Sequence, residues 1–117
     1  MACVPDETIS NYVAKARPYH LVEMNDAPTQ IKATIEFGPR GKISGQGPCN
    51  RYFATSEDPY PWLKIEAIGA TKMACPSLKD EQTYFTALQS MTNAEAAGSV
   101  LILSNENGEN LVYRLEN

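Results

Sequence analysis

The chain has 117 residues, the size of one domain, with 14 acidic and 10 basic residues and a formal net charge of −4. This balance argues against nucleic acid and against anionic membrane surfaces as partners, because both are bound through basic residues. An apolar content of 43% excludes wholesale disorder. With one histidine and three cysteines, a Cys/His zinc site is hard to assemble, and we expect neither a metal nor another cofactor.

The N-terminal 17 residues are predicted to form an arm or tether that precedes the domain at 18–117. Their apolar spacing allows a short helix that ends before Pro18. Ala2-Cys3 resembles the end of a bacterial lipoprotein signal, which is cut just before a cysteine that follows small residues. Cys3 is therefore the candidate lipidation site, and the alternative is an ordinary N-terminus with an incidental thiol. No apolar run approaches the roughly 18 residues that span a bilayer, so membrane attachment is expected only through this anchor.

Alternating apolar residues and turn signals predict antiparallel strands. The first clear hairpin pairs 31–37 with 42–46. The strongest hairpin pairs 99–104 with 109–115 through Asn107-Gly108, which is expected to form a type I′ turn. Shorter strands are predicted at 19–23, 62–68 and 94–96.

One helix is predicted at residues 78–91. Ser77 is its expected N-cap, and the helix dipole accounts for Asp80 and Glu81 in the first turn. The apolar stripe is expected to comprise Leu78, Tyr84, Phe85, Leu88 and Met91. One helix among hairpins predicts an α+β fold: a twisted antiparallel sheet or partly open β-barrel packed against one main α-helix.

Two cysteines lie beside prolines at the ends of predicted strands. Cys49 and Cys75 are candidates for a disulfide, and the alternative is a pair of buried free thiols. Cys49 as a nucleophile would need His20 as its base, but nothing in the sequence places them together. The carboxylates are scattered along predicted strands, so no acid–base pair stands out and we expect no enzymatic activity.

A proline-stiffened loop precedes the predicted strand at 62–68. Tyr60 and Trp62 flank Pro61 and form a possible recognition loop, because aromatic side chains on a stiff loop bind partners at low entropic cost. The alternative is that Trp62 fills the core.

Two motifs resemble those of one known family. The run from Gly41 to Tyr52, GKISGQGPCNRY, resembles the glycine-rich strand and "GCNRY"-like turn of the META domain, or HslJ-like, family. The run from Ile68 to Cys75, IGATKMAC, is similar to that family's "T-x-M-A-C" segment, and a helix with an acidic opening follows it. The sequence departs from the family pattern at Pro48, where glycine is usual, and at Tyr19, where tryptophan is common.

The resemblance implies a small β-rich domain of the bacterial envelope, periplasmic or lipid-anchored in the outer membrane. The family is linked to heat shock, to antibiotic tolerance and, in parasites, to motility or virulence, with no established enzymatic activity. Its motif residues are expected to be architectural, with Asn50 satisfying loop amides and Thr71 and Met73 packing the second loop; the motif positions here are Gly45, Gly47, Asn50, Arg51, Thr71 and Met73.

These features predict a non-enzymatic, monomeric envelope domain that acts in stress tolerance by binding a protein partner. The rival prediction is a small periplasmic or secreted inhibitor of a hydrolase such as a lysozyme or protease. An acidic chain suits that role because many lysozyme-like targets are basic.

Overall fold

The computed structural model describes residues 6–14 and 16–115. Within them, nine strands form one antiparallel sheet with a single α-helix against it, as the predicted α+β class requires. The elements in chain order are β1 Tyr19–Met24, β2 Ala27–Pro28, β3 Thr34–Phe37, β4 Lys42–Gln46, β5 Arg51–Thr55, β6 Gly69–Ala70, α1 Leu78–Gln89, β7 Asn93–Ala97, β8 Val100–Ser104 and β9 Asn110–Leu115.

The sheet is an open one. Its strands run in the order β6-β5-β4-β3-β1-β9-β8-β7, and β2 pairs with the end of β1. Hairpins connect β3 with β4 and β7 through β9, which confirms both strong hairpin predictions. A single bridge between Trp62 and Asn93 draws the segment after β5 toward β7. The sheet therefore curls without closing; among the described residues β6 and β7 end its main path, and β2 lies beside β1 off that path.

The edge at β7 is covered by the chain itself. The outward N–H of Ala94 donates to the carbonyl oxygen of Pro61 at 2.8 Å. The N–H of Ala96 donates to the hydroxyl oxygen of Tyr60 at 2.9 Å. Covering an edge in this way blocks the addition of a foreign strand.

At the other end of the path, no described residue pairs with the outer side of β6. Thr71 N–H donates to Arg51 O at 3.0 Å, so these two residues form a hydrogen-bonded pair next to the Tyr52–Ala70 pair. Hydrogen-bonded and non-hydrogen-bonded pairs alternate in an antiparallel ladder. The backbone N–H and C=O of Ala70 therefore point away from β5.

Three buried tyrosines connect the helix to the sheet. The hydroxyl oxygen of Tyr84, on α1, lies 2.8 Å from those of both Tyr52 and Tyr113, on β5 and β9. Tyr52 also donates to the carbonyl oxygen of Thr34 at 2.6 Å. Each hydroxyl thus has a partner, as buried polar groups require. Around this chain lies an apolar core that includes Ile9, Tyr19, Ile35, Phe37, Ile43, Leu63, Ile65, Leu88, Met91, Leu101, Leu103 and Leu111.

This hydroxyl chain predicts a loss of stability in alkali. Burial is the main cause that raises the pKa of Tyr52, Tyr84 and Tyr113 well above the usual value for tyrosine. Above about pH 10 the unfolded chain loses these protons while the folded chain keeps them, so the free energy of unfolding falls as pH rises. Below that pH the contribution of the three tyrosines to stability is fully present.

The phenolate absorbance of these buried tyrosines should therefore rise together with unfolding as the pH is raised. In Tyr84→Phe we expect the rise with pH to be less steep than in the wild type. Full ionisation of all tyrosines in a still-folded protein would contradict this.

Close packing around Gly45 yields a second prediction. A Cβ at this position would lie 2.1 Å from Thr34 O and 2.7 Å from the Tyr52 hydroxyl. We expect Gly45→Ala to lower the free energy of unfolding by about 1–3 kcal/mol or more, because overpacking displaces the strand pair. Gly69→Ala is the matched control, since its Cβ would meet nothing closer than 4.0 Å. Urea unfolding of both variants measures the difference, and equal losses would contradict the packing argument.

The predicted N-terminal arm is not a free tether over residues 6–14. Ile9 is 1% exposed and belongs to the core. The Ser10 hydroxyl accepts a hydrogen bond from Gly41 N–H at 2.8 Å. The predicted helix is only a 3-10 turn at Ile9–Asn11. Residues 6–14 therefore pack into the domain, and Cys3 lies outside the described residues.

The prediction of a strand at 62–68 is wrong, although buried and exposed side chains do alternate there. Leu63 and Ile65 are buried, and the side chains between them are exposed. Apart from the bridge at Trp62, however, no ladder forms before β6 begins at Gly69. Pro59 and Pro61 lack backbone donors, and the segment crosses from β5 to β7 rather than lying along either strand.

The ends of two elements also differ from prediction. The helix stops at Gln89, and the Ser77 side chain makes no capping hydrogen bond. In the terminal hairpin Gly108 has a positive φ whereas Asn107 does not, so the loop is longer than a type I′ turn. Its loop amides donate to the Asn105 side chain instead. The turn with two positive φ values lies at Asn25–Asp26.

Candidate functional site

A disulfide joins the two motif loops. Cys49 follows β4 and Cys75 precedes α1, and they are bonded with their Cα atoms 5.8 Å apart. This confirms the predicted pair and rules out two free thiols in this structure. Because the Cys49 sulfur is bonded to Cys75, it is not a thiolate that could act with His20. Disulfides persist in oxidising compartments, which is consistent with an extracytoplasmic domain.

Asn50 connects the same two loops by hydrogen bonds. Its side-chain oxygen accepts from Met73 N–H at 2.6 Å and from the Thr71 hydroxyl at 2.9 Å. Its amide nitrogen donates to Met73 O at 3.1 Å and to a carboxylate oxygen of Glu81 at 2.7 Å. The residue is 3% exposed, so these bonds satisfy a buried amide completely.

Glu81 completes this arrangement from the helix. Its second carboxylate oxygen accepts from the backbone N–H groups of Cys49 at 3.0 Å and Asn50 at 2.6 Å. It is 2% exposed, so this first-turn acid also has a role inside the fold that the helix dipole alone does not require. The sequence spacing could have indicated this burial. Tyr84 and Leu88 follow Glu81 by three and seven residues, so all three lie on one helix face. We call Cys49, Asn50, Thr71, Met73 and Glu81 the Asn50 network.

The other motif positions differ in how they relate to this network. A Cβ on Gly47 would lie 2.7 Å from a Glu81 carboxylate oxygen, so the position needs glycine. Arg51 is exposed, with its guanidinium 5.8 Å from the Phe53 ring centroid. The Met73 side chain is 66% exposed. The expectation that it packs the second loop is therefore wrong, since its backbone makes the contacts.

An apolar groove lies beside the Asn50 network, between the open edge of β6 and α1. Its volume is about 400 Å³. Its exposed apolar side chains include Met73 and Leu78, the latter 39% exposed rather than in the predicted apolar stripe. Lys72 also lines it and is exposed. The groove thus combines apolar walls, one exposed cation and the outward backbone groups of Ala70.

The predicted recognition loop lies elsewhere. Trp62 is 57% exposed, so the alternative that it fills the core is wrong. Tyr60 precedes a cis peptide bond to Pro61 and is half-buried. Its ring stacks on that of Tyr12, with centroids 4.2 Å apart. Sequence patterns did not identify Tyr12, because this contact joins residues 48 positions apart in the chain.

A second groove of about 680 Å³ lies where β3 and β4 diverge, and His20, Lys32 and Gln46 are among its lining residues. Across residues 6–14 and 16–115, no group of three or more His, Cys, Asp or Glu side chains could hold a metal ion. In the same ranges no helix has the length and apolar character of a membrane span.

The sequence matches a family model, and the fold matches solved structures. The family model of the META domain matches residues 13–117. An NMR structure of a protein from Burkholderia xenovorans is similar with a TM-score of 0.70 and 21% identity, over the whole of this chain and 94% of that one. Another NMR structure has a TM-score of 0.67 and 20% identity, over 91% of this chain and 93% of that one. At these identities the likeness shows a shared fold.

No curated protein matches the sequence. The family match covers nearly the whole chain, and both of its motifs lie in the Asn50 network and at the adjoining groove. The chain therefore belongs to the META domain family.

Proposed function

We propose that this META domain is a non-enzymatic module of the cell envelope that binds a protein partner and acts in stress or antibiotic tolerance. In this proposal Cys3 carries a lipid, and the domain is held at the periplasmic side of a bacterial membrane. The partner is an extended, apolar peptide segment that the groove beside β6 receives.

The observation that carries the proposal is the open edge of β6 next to the groove. The outward N–H and C=O of Ala70 can extend the sheet by one strand, as in other cases of β-strand addition. Met73 and Leu78 offer exposed apolar surface for alternate side chains of such a strand. Lys72 favours a segment with an acidic residue beside its apolar run.

The Asn50 network supports this role by holding the groove in place. Met73 forms one wall of the groove, and both its backbone N–H and its C=O bind Asn50. The disulfide fixes the same segment at Cys75. A surface that is already ordered loses little conformational entropy on binding, which strengthens the association.

Variants of the groove test the binding role. Met73→Asp places a charge in the groove but keeps the backbone bonds to Asn50, whereas Met73→Leu keeps the apolar surface. In cells that lack the gene, we expect Met73→Leu to restore heat and antibiotic tolerance and Met73→Asp to fail at equal protein levels. A photo-crosslinker at Lys72 should capture the partner, and one at exposed Gln89 should not. Full tolerance with Met73→Asp would overturn the assignment of the groove.

The anchoring part of the proposal has its own test. The wild-type protein isolated from its bacterium should carry a lipid on Cys3, visible by mass spectrometry, and should fractionate with membranes. Cys3→Ser should release it into the soluble periplasmic fraction. An unmodified Cys3 thiol in the isolated protein would overturn the anchor and leave the groove result unaffected.

The net charge of −4 favours a second candidate, an inhibitor of a basic hydrolase. A lysozyme or protease titrated with the purified domain would lose activity in proportion to complex formation, and added salt would weaken the effect. Unchanged hydrolase activity at low salt would eliminate this candidate.

A further inference from the structure

Two aromatic side chains stack on the surface of the domain, and a third exposed one follows two residues along the chain. Tyr12 is 51% exposed and stacks on Tyr60, and Trp62 is 57% exposed. We call these three residues the aromatic face. Adjacent exposed aromatics are not explained by the core or by the groove at β6.

The N-terminal segment that carries Tyr12 and the groove lie at opposite ends of the β4–β5 hairpin. At one end Gly41, just before β4, binds Ser10 of that segment. At the other end Gln46 pairs with Arg51, next to the disulfide and the Asn50 network. The length of the hairpin therefore separates this segment from the groove.

The N-terminal segment leads directly to the aromatic face. Tyr60 N–H donates to the carbonyl oxygen of Glu7 at 2.7 Å, and Ile9 is buried in the core. From Cys3 to Glu7 the chain advances four residues, which span at most about 14 Å when extended. A lipid on Cys3 would therefore hold Glu7 within that distance of the bilayer surface, and Tyr60, which is hydrogen-bonded to Glu7, close to it.

We propose that the aromatic face contacts the zwitterionic headgroup layer of the membrane in the anchored protein, with the groove directed away from it. The inference rests on the proposed anchoring through Cys3. Tyrosine and tryptophan prefer the membrane–water interface because their rings are apolar and their polar tips remain hydrated.

The charges of the domain select the type of lipid. Glu7 and Glu57 are exposed and lie within a few residues of it in the chain. Basic residues lie near it as well: Lys64 is exposed two residues after Trp62, and exposed Arg40 donates its backbone N–H to the Asp6 carboxylate. The local charges are therefore mixed, and the net charge of −4 on the whole chain is what disfavours anionic headgroups and fits a zwitterionic lipid layer.

The composition of the chain makes this testable in vitro. Trp62 is the one tryptophan, and Cys3 is the one cysteine outside the disulfide. Cys3 can thus be coupled through a maleimide to lipid in phosphatidylcholine vesicles, whether or not it is lipidated in cells. We expect Trp62 emission to shift to the blue and to be quenched by brominated acyl chains.

A matched control moves the anchor. In Cys3→Ser/Lys79→Cys the lipid is attached to an exposed position in the first turn of α1, close to the disulfide end. Trp62 should then emit as in water and be quenched by iodide instead. Equal quenching by brominated lipid from both anchors, or none from the Cys3 anchor, would overturn the proposal.

The outcomes separate this inference from the proposed function. A lipid on Cys3 of the isolated protein, together with Trp62 in water on the vesicles, would overturn only the membrane contact. An unmodified Cys3 would overturn the anchor on which the inference rests. If an envelope protein protects Trp62 from quenching by iodide and lipid does not, the aromatic face would be assigned to a protein contact and the membrane contact would be overturned.

Discussion

Asn50→Ala is expected to lower the free energy of unfolding by about 3–5 kcal/mol, because it removes the partner of one oxygen of the buried Glu81 carboxylate and of both Met73 backbone groups. Denaturant unfolding followed by circular dichroism measures the change. Asn107→Ala is the control, since this asparagine lies exposed in the β8–β9 loop. A loss below about 1 kcal/mol, the worth of one ordinary hydrogen bond, would contradict the role given to the Asn50 network.

Glu81→Gln refines the test because it keeps the shape of the side chain. The glutamine oxygen can still accept from the Cys49 and Asn50 N–H groups, but its amide nitrogen then faces the Asn50 amide nitrogen, and both are donors. We expect a loss smaller than that of Asn50→Ala and larger than that of Asn107→Ala.

Removing the disulfide is the second large effect. Cys49 and Cys75 are 26 residues apart, and the chain-entropy model gives about 3.5 kcal/mol for closing a loop of this length. The double variant Cys49→Ser/Cys75→Ser should lose that amount in urea unfolding. A loss below about 1 kcal/mol would show that the bond constrains little beyond what the fold already does.

The two effects should not add. The disulfide and the Asn50 network join the same two loops, and neighbouring interactions are coupled. The loss in the free energy of unfolding when Asn50→Ala is combined with removal of the disulfide should therefore differ from the sum of the two separate losses by at least about 0.5 kcal/mol. Strict additivity would contradict the view that they form one crosslink.

Local periodicity predicted most of the sheet. The apolar alternation of Ile35 and Phe37 places both in the core, and the terminal hairpin pairs as expected. It failed at 62–68, where Leu63 and Ile65 alternate with exposed residues without a paired strand. Alternation reports which side chains are buried, whereas strand pairing depends on a neighbour that the local sequence does not contain.

The site was predictable in outline but not in its centre. The two cysteine motifs pointed to Cys49, Cys75 and Asn50, and the structure brings them together. Glu81 was missed because an acid in a first helical turn already has a sufficient explanation in the dipole. The helical spacing with Tyr84 and Leu88 could have indicated its burial, but the N–H groups that bind it come from the loop after β4, which the local sequence does not contain.

The difference between the two sheet edges limits how the domain can assemble. A filament of stacked copies needs two available edges on each copy, so that every chain can both offer and accept a strand. Here Tyr60 and Pro61 occupy the outward N–H groups of Ala94 and Ala96 on β7, whereas the outward backbone groups of Ala70 on β6 have no strand beside them among the described residues. Pairing of β6 with β7 of another copy is therefore blocked, and stacking of copies through these two strands cannot propagate.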